Sequence, residues 1–176
     1  MKKVAMLALS LMVAPAAVEA QSSSATVNAS ATILAFLNVQ NVSDVSFGSI
    51  AAGAAATITP GTTPASGTLG VMRINHNSNV SVSASLPAGG LALVGGTGLE
   101  PRLPVTFSCG YSASAGGALE GAAAACNSLP NRAGNGNGST RTSYVQVGGS
   151  IAALDTTGRI PGTYTGAVVF TVVAVY

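Results

Sequence analysis

The sequence predicts an all-β chain: an antiparallel sandwich or barrel of short strands in one domain. Three observations carry this expectation. Apolar and polar residues alternate with period two in several separate runs. Turn signals, drawn from 22 glycines and 8 prolines in 176 residues, punctuate those runs. Helical periodicity is not sustained anywhere, no fixed-period repeat appears, and no shift of composition marks a second domain.

Taken in order, Ala25–Ile33 places Ala25, Val27, Ala29, Ala31 and Ile33 on one side and Thr26, Asn28, Ser30 and Thr32 on the other. That is a strand with one buried face. Within Val42–Ile50 a short strand is expected around Val45–Phe47, stopped by Gly48. Ala54–Thr59 reads as another, stopped by Pro60, with Pro60, Gly61 and Pro64 marking a loop. Thr68–Asn75 and Val80–Leu86 flank the turn-forming run Asn75–Asn79, which predicts a hairpin. In the second of these runs Val80, Val82, Ala84 and Leu86 share a face. Leu91–Val94 is a short strand broken by Gly95–Gly98, and Leu103–Cys109 is a further strand. The Ala/Leu-rich stretch Gly116–Ala125 reads as a helical turn, and Pro130–Ser139 as a flexible loop. Thr142–Ile151 and, after Pro161-Gly162, Thr163–Tyr176 complete the set.

The last strand is the most informative. Tyr164, Gly166, Val168, Phe170, Val172, Ala174 and Tyr176 lie on one face; Thr165, Ala167, Val169, Thr171, Val173 and Val175 lie on the other. Both faces are apolar toward the end. A strand edge open to water is normally blunted by Lys, Pro or other charge, and this one is not. Either the strand lies centrally with both faces covered, or another chain covers it. The run is too short for a membrane helix and rich in β-branched residues.

The first twenty residues read as an export signal. Lys2 and Lys3 precede an apolar run, Val4–Ala17, and Val18-Glu19-Ala20 supplies small residues at the positions that matter for cleavage before Gln21. The expected mature chain, residues 21–176, keeps five arginines (Arg73, Arg102, Arg132, Arg141, Arg159) and four acids (Asp44, Glu100, Glu120, Asp155). No transmembrane segment is expected after cleavage. The expected location is the periplasm in transit, then the cell surface or the medium.

Charged residues make up 7% of the chain, against about 25% in average soluble domains. With 48% hydrophobic residues this excludes a solvating disordered chain. Scattered arginines form no basic patch for nucleic acid. The surface must be wetted by Ser, Thr, Asn and backbone, which leaves little charge repulsion against self-association.

Cys109 and Cys126 both fall in the exported part, where a lone pair of cysteines forms a disulfide. Closing that loop is worth about 3 kcal/mol in the chain-entropy model. A redox CxxC spacing is absent, and a metal site needs more ligands than are nearby.

Catalytic constellations are thin. His76 is the single imidazole, set in an Asn-rich run that favours a solvated turn residue over a triad with Asp44 or Asp155. There is no Gly-x-Ser-x-Gly elbow, no calcium loop, and no cofactor signature. Glu100 and Glu120 lie in Gly-rich segments where solubilising charge is the simpler role. Gly95–Gly98 and Gly134–Gly138 lack the context of a phosphate loop, and the Asn-x-Ser triplets at Asn28, Asn41, Asn79 and Asn137 are read as chance. An enzyme is therefore not expected.

The tail, Tyr144-Val-Gln-Val-Gly-Gly-Ser-Ile151 followed by Ile160–Tyr176, together with Asp44-Val-Ser-Phe-Gly-Ser-Ile50, resembles bacterial pilin-type subunits. It is most similar to small Gly/Ala-rich exported β proteins related to chaperone–usher fimbrial subunits. The resemblance is strongest over roughly the last thirty-five residues. It implies an immunoglobulin-like sandwich lacking one strand, completed first by a periplasmic chaperone and then, at an outer-membrane usher, by a neighbour's leading extension. On that reading Val168, Phe170, Val172, Ala174 and Tyr176 line the receiving side, and Ala25, Val27, Ala29, Ala31 and Ile33 form the donor. The pattern departs in two places: Tyr176 is the last residue rather than the one before it, and one good alternating strand precedes Phe47-Gly48 where two are needed. Ala25–Ile33 is thus either a donor or the domain's own first strand, with Ala35–Val39 as a candidate for the other. The expected role is a structural subunit of a surface fibre or coat, associating with its own copies or related subunits. The rival is a self-complete binding module for glycans or matrix. An outer-membrane barrel lacks its aromatic girdles here.

Overall fold

A computed structural model of the chain describes residues 30–32, 34–136 and 138–175. Residues 1–32 and 33–176 are separate units, and the fold is that of the second. The export signal, and Ala25, Val27, Ala29, Ile33 and Tyr176 among the strand-exchange candidates, lie outside the described residues.

The described chain is all-β. Its strands are β1 (Leu37–Ser43), β2 (Ala56–Ile58), β3 (Gly70–His76), β4 (Asn79–Ser85), β5 (Ala92–Leu93), β6 (Thr106–Ser112), β7 (Ala124–Ala125), β8 (Arg141–Ile151), β9 (Tyr164–Thr165) and β10 (Val169–Val175). One 3-10 turn (Cys126–Ser128) and a four-residue helix, α1 (Ala153–Thr156), complete the set. All strand pairings are antiparallel. The main sheet runs β1-β3-β8-β6-β7, with β2 also on β8. β4 and β10 form a second sheet, and β5 and β9 a small third one.

β8 is paired along its whole length. Residues 144–150 pair with β6, residues 141–147 with β3, and residues 149–151 with β2 on the edge that β3 has left. Gly148 and Gly149 permit the crowding at that end. A Cβ at Gly148 would lie 2.1 Å from the Ile58 carbonyl oxygen, and one at Gly149 2.6 Å from that of Thr106.

Period-two alternation builds the core between the sheets. Met72 and Ile74 of β3, Phe107, Cys109 and Tyr111 of β6, and Val145 and Val147 of β8 meet Val82 of β4; Phe170 and Val172 of β10 are half-buried against them. A second cluster (Phe47, Ile58, Leu69, Val71, Leu103, Ile151) joins the loops to the sheet. Gln146, on the opposite face of β8 from Val145, is wholly buried and clamps those loops. Its Oε1 accepts from the Gly61 N–H at 2.5 Å; its Nε2 donates to Ser112 Oγ at 2.9 Å and to the Gly117 carbonyl at 2.7 Å.

Several sequence expectations are corrected. β3 and β4 are not a hairpin: β3 pairs with β1 and β8, and β4 pairs with β10. The tight turn between them carries the chain from one sheet to the other, because Met72, Ile74 and Val82 must face one core from opposite sides. No helical turn forms over Gly116–Ala125; β7 and the 3-10 turn occupy its end, since Cys126 is drawn into the core. Around Val45–Phe47 there is a single bridge, Ser46 to Thr68, and the strand lies earlier, at Leu37–Ser43. The expected final strand is two, β9 and β10, interrupted at residues 166–168. Leu103–Cys109 is displaced to Thr106–Ser112. The loop Pro130–Ser139 is pinned where Arg132 bridges Val80.

Replacing Gln146 by Leu strands the Gly61 N–H and the Gly117 carbonyl. Urea unfolding is expected to show a loss of about 2–3 kcal/mol, against under about 0.5 kcal/mol for Ser81→Ala on an outward face. Equal midpoints for the two variants would refute the clamp.

Candidate functional site

The two cysteines form a disulfide. Cys109 of β6 and Cys126 at the 3-10 turn are both wholly buried, with Cα atoms 4.8 Å apart and a sequence separation of 17. The bond holds the long excursion after β6 beneath β4, where Leu129 joins the core.

His76 is not a solvated turn residue: it is wholly buried at the end of β3. Two demands put it there. Its place in the alternation after Met72 and Ile74 points it inward, and buried partners satisfy both ring nitrogens. Nδ1 lies 2.6 Å from the Ser78 carbonyl, which can only accept, so Nδ1 carries the proton. Nε2 then accepts from Ser143 Oγ at 3.2 Å, and Arg132 Nε donates to the same oxygen at 3.2 Å. Ser143 is also wholly buried, so no substrate carbonyl can approach this Ser-His pair. Arg132 pairs with Glu120 and lies over the Tyr111 ring, 5.4 Å from its centroid. Burial pushes the Tyr111 hydroxyl pKa up, opposed by the Arg132 charge; burial, then Arg141, pushes that of Arg132 down.

Glu120 is thus an ion-pair member rather than a lone solubilising charge. Glu100 is occupied too: it accepts from the Thr97 N–H at 2.9 Å, the Thr97 hydroxyl at 3.0 Å and the Gly98 N–H at 2.9 Å. The backbone hydrogen bond from Thr97 leads the causes that hold its carboxyl below the usual range. Asp155 caps nothing catalytic; its carbonyl accepts from Arg159 Nε at 2.8 Å. Among the described residues no three His, Cys, Asp or Glu lie together in a way that could hold a metal ion. No helix among them is long and apolar enough to cross a membrane.

A groove of about 1140 Å³ opens on the described fold. One wall is the end of β1 and the segment after it, through Asp44, Phe47 and Ile50. The other is the run from Arg159 through Tyr164 to Phe170. Met72, Phe107, Val147 and Ile151 form the floor. The cavity lies where the two sheets part, so its floor is core side chain and its rims are strand edge. Asp44 and Arg159 are its charged lining groups; Asn41 Nδ2 donates to Asp44 Oδ1 at 2.8 Å.

β10 borders this groove. Among the described residues it pairs with β4 alone, from Val169–Ser85 to Val175–Asn79. No described strand pairs with the backbone N–H and C=O groups of its other edge. Val168, Phe170, Val172 and Ala174 are half-buried, whereas Val169 and Val173 are 57% and 55% exposed. Among the described residues the strand therefore stands at a sheet edge rather than in a central position. Of these inward residues, Val168 and Phe170 line the groove itself. Ala31 is exposed. The opposite wall, Asp44–Ile50, and the stretch Arg159–Tyr164 were not among the candidate residues; the turn signals Phe47-Gly48 and Pro161-Gly162 were the marks available for finding them.

Comparison of the chain with protein-family models, with curated proteins and with solved structures gave no match.

Two outcomes test this geometry. Phe170→Ala is expected to cost about 2 kcal/mol in urea unfolding, since a half-buried ring loses part of the usual core penalty. Thr171→Ala, on the outward face, is expected to cost under about 0.5 kcal/mol. Replacing both cysteines by Ala is expected to lower stability by about 3 kcal/mol; an unchanged midpoint would mean that the loop is held by packing alone.

Proposed function

We propose that the protein is a structural subunit of a bacterial surface fibre or coat, and that it assembles by β-strand addition into the groove beside β10. The observation that carries this reading is the edge of β10, which no described strand pairs: half-buried Val168 and Phe170 line the apolar groove there, and half-buried Val172 and Ala174 continue the same face. An edge of this kind binds an extended segment through main-chain hydrogen bonds, and alternate side chains set the register.

Strand order supports an immunoglobulin-like sandwich with one strand missing. In a seven-strand domain of that class one sheet is ordered A-B-E-D and the other C-F-G. Here β1-β3-β8-β6 follows the first order and β4-β10 follows C-F; no G strand stands beside β10 among the described residues. The second support is the edge next to β3, which Leu37–Ser43 fills. Ala25–Ile33 is then not needed as the first strand of its own domain. On this reading it acts as donor, with Ala25, Val27, Ala29, Ala31 and Ile33 presented to the groove of a second copy. Nine extended residues span about 30 Å, longer than the seven-residue strand they would flank. The near-uncharged surface adds no repulsion between copies. In transit through the periplasm a chaperone strand would cover the same edge before an usher exchanges it for the donor.

Size exclusion and negative-stain microscopy of the exported chain are expected to show multimers or filaments. Val27→Asp with Ile33→Asp, or an excess of peptide copying residues 24–34, should convert them to monomer. A strictly monomeric chain that ignores the peptide sinks this reading and leaves the self-complete binding module.

A further inference from the structure

The outward face of β1, β3 and β8 carries six hydrogen-bonding side chains in register, away from the groove. Asn38, Asn75 and Thr142 form one row across the three strands; Gln40, Arg73 and Tyr144 form the next. Neighbours within a row stand about 4.8 Å apart, and the rows about 7 Å apart along the strands. Their backs define the face: Met72, Ile74, Ser143 and Val145, which alternate with them, are buried. Asn38, Gln40 and Thr142 are exposed, and Arg73, Asn75 and Tyr144 partly so. Thr142 Oγ1 donates to Asn75 Oδ1 at 2.8 Å, and Arg73 Nη2 donates to Gln40 Oε1, so the grid is internally oriented.

The chemistry of this grid is specific within the chain. Two Asn amides, one Gln amide and one guanidinium are planar groups, suited to pairing with adjacent hydroxyls. Tyr144 adds an aromatic ring, which packs toward the loop cluster at the upper end of the face. Arg73 is the single charge among the six positions, and no acid accompanies it. Its Nε is buried and its Nη2 is given to Gln40, so it offers a carboxylate the outer end of the guanidinium and its charge. Beyond the second row the face is bounded by a pocket of about 290 Å³, formed by Val42, Val71, Pro64 and Ala115. The outward face of the other sheet differs: Ser81, Ser83 and Ser85 stand against Val173, Thr171 and Val169, and its one planar amide is Asn79 at the strand end.

We propose that this face binds an acidic saccharide, a uronic-acid-bearing glycan laid across the strands. Its carboxylate pairs with Arg73, its hydroxyls with Asn38, Gln40, Asn75 and Thr142, and a sugar ring rests against Tyr144. A flat, open grid suits a chain laid over it rather than a monosaccharide enclosed by it. The net excess of cation over anion at the grid selects an acidic sugar over a neutral one. This site lies apart from the groove: Val39 and Asn41 line the groove, whereas Asn38 and Gln40, which alternate with them, point the other way.

The test is binding of the whole exported chain to oligogalacturonate, with maltohexaose and polyglutamate as comparators, at about 150 mM salt to screen loose charge attraction. Saturable binding of oligogalacturonate is expected, at least tenfold tighter than either comparator. Arg73→Gln should weaken it at least tenfold and Asn38→Ala, at a fully surface position, several-fold; Arg102→Gln, in a distant loop, should leave it unchanged. Absence of saturable binding, equal binding of polyglutamate, or equal loss in Arg102→Gln would overturn the proposal. If Arg73→Gln shifts the unfolding midpoint, the Asn38→Ala result decides.

Discussion

The structure depends on the pairing of β8. It carries β3 and then β2 along one edge and β6 along the other over residues 144–150, and it contributes to both clusters of the core. That double pairing requires two strands to approach one backbone closely where β2 takes over from β3. Gly148 and Gly149 meet the requirement because any side chain there would collide with a carbonyl oxygen of the adjoining strand. With β8 fixed, β3 and β6 are set in register beside it, and Met72, Ile74, Phe107 and Val147 converge on one side.

A chain this poor in charge has to satisfy buried polarity with neutral groups. Gln146 does this on one face of β8, joining two loops and β6 through a single amide. His76, Ser143 and Arg132 do it at the other end, where each donor finds an acceptor and the ring tautomer follows from the Ser78 carbonyl. Such groups are costly to bury alone and stabilising when fully paired. They explain why the few titratable residues are spent on architecture: Glu100 on its own loop, Glu120 on Arg132, His76 on a strand end. The disulfide extends the same logic to the excursion after β6, whose apolar residues are mostly small alanines.

The surfaces left over are two sheet features of opposite character. The edge of β10 is apolar and backbone-rich, and lies over an open groove; the outward face of β1, β3 and β8 is polar and planar. Because strand side chains alternate, β1 serves both at once, turning Val39 and Asn41 to the groove and Asn38 and Gln40 outward. An assembly that fills the groove would leave the polar face exposed and repeated along the fibre, so that weak contacts to a polymeric ligand would act together.

The sequence alone determined the strand character of the chain, the disulfide pair, and the inward faces of β4 and β10, because period two and turn residues are local properties. Val80, Val82 and Ala84, and Val168, Phe170 and Val172, were legible for that reason. Partnership was not. Val80–Leu86 looked like the hairpin mate of Thr68–Asn75, yet β4 pairs with β10, because the core demanded that consecutive strands stand on opposite sides of it. His76 looked solvated because its neighbours are polar, and only the closure of Ser78 and Ser143 around it made burial tolerable. The groove and the polar grid join residues far apart in the chain, and only the tertiary structure brings Phe47 opposite Phe170, or Gln40 beside Arg73 and Tyr144.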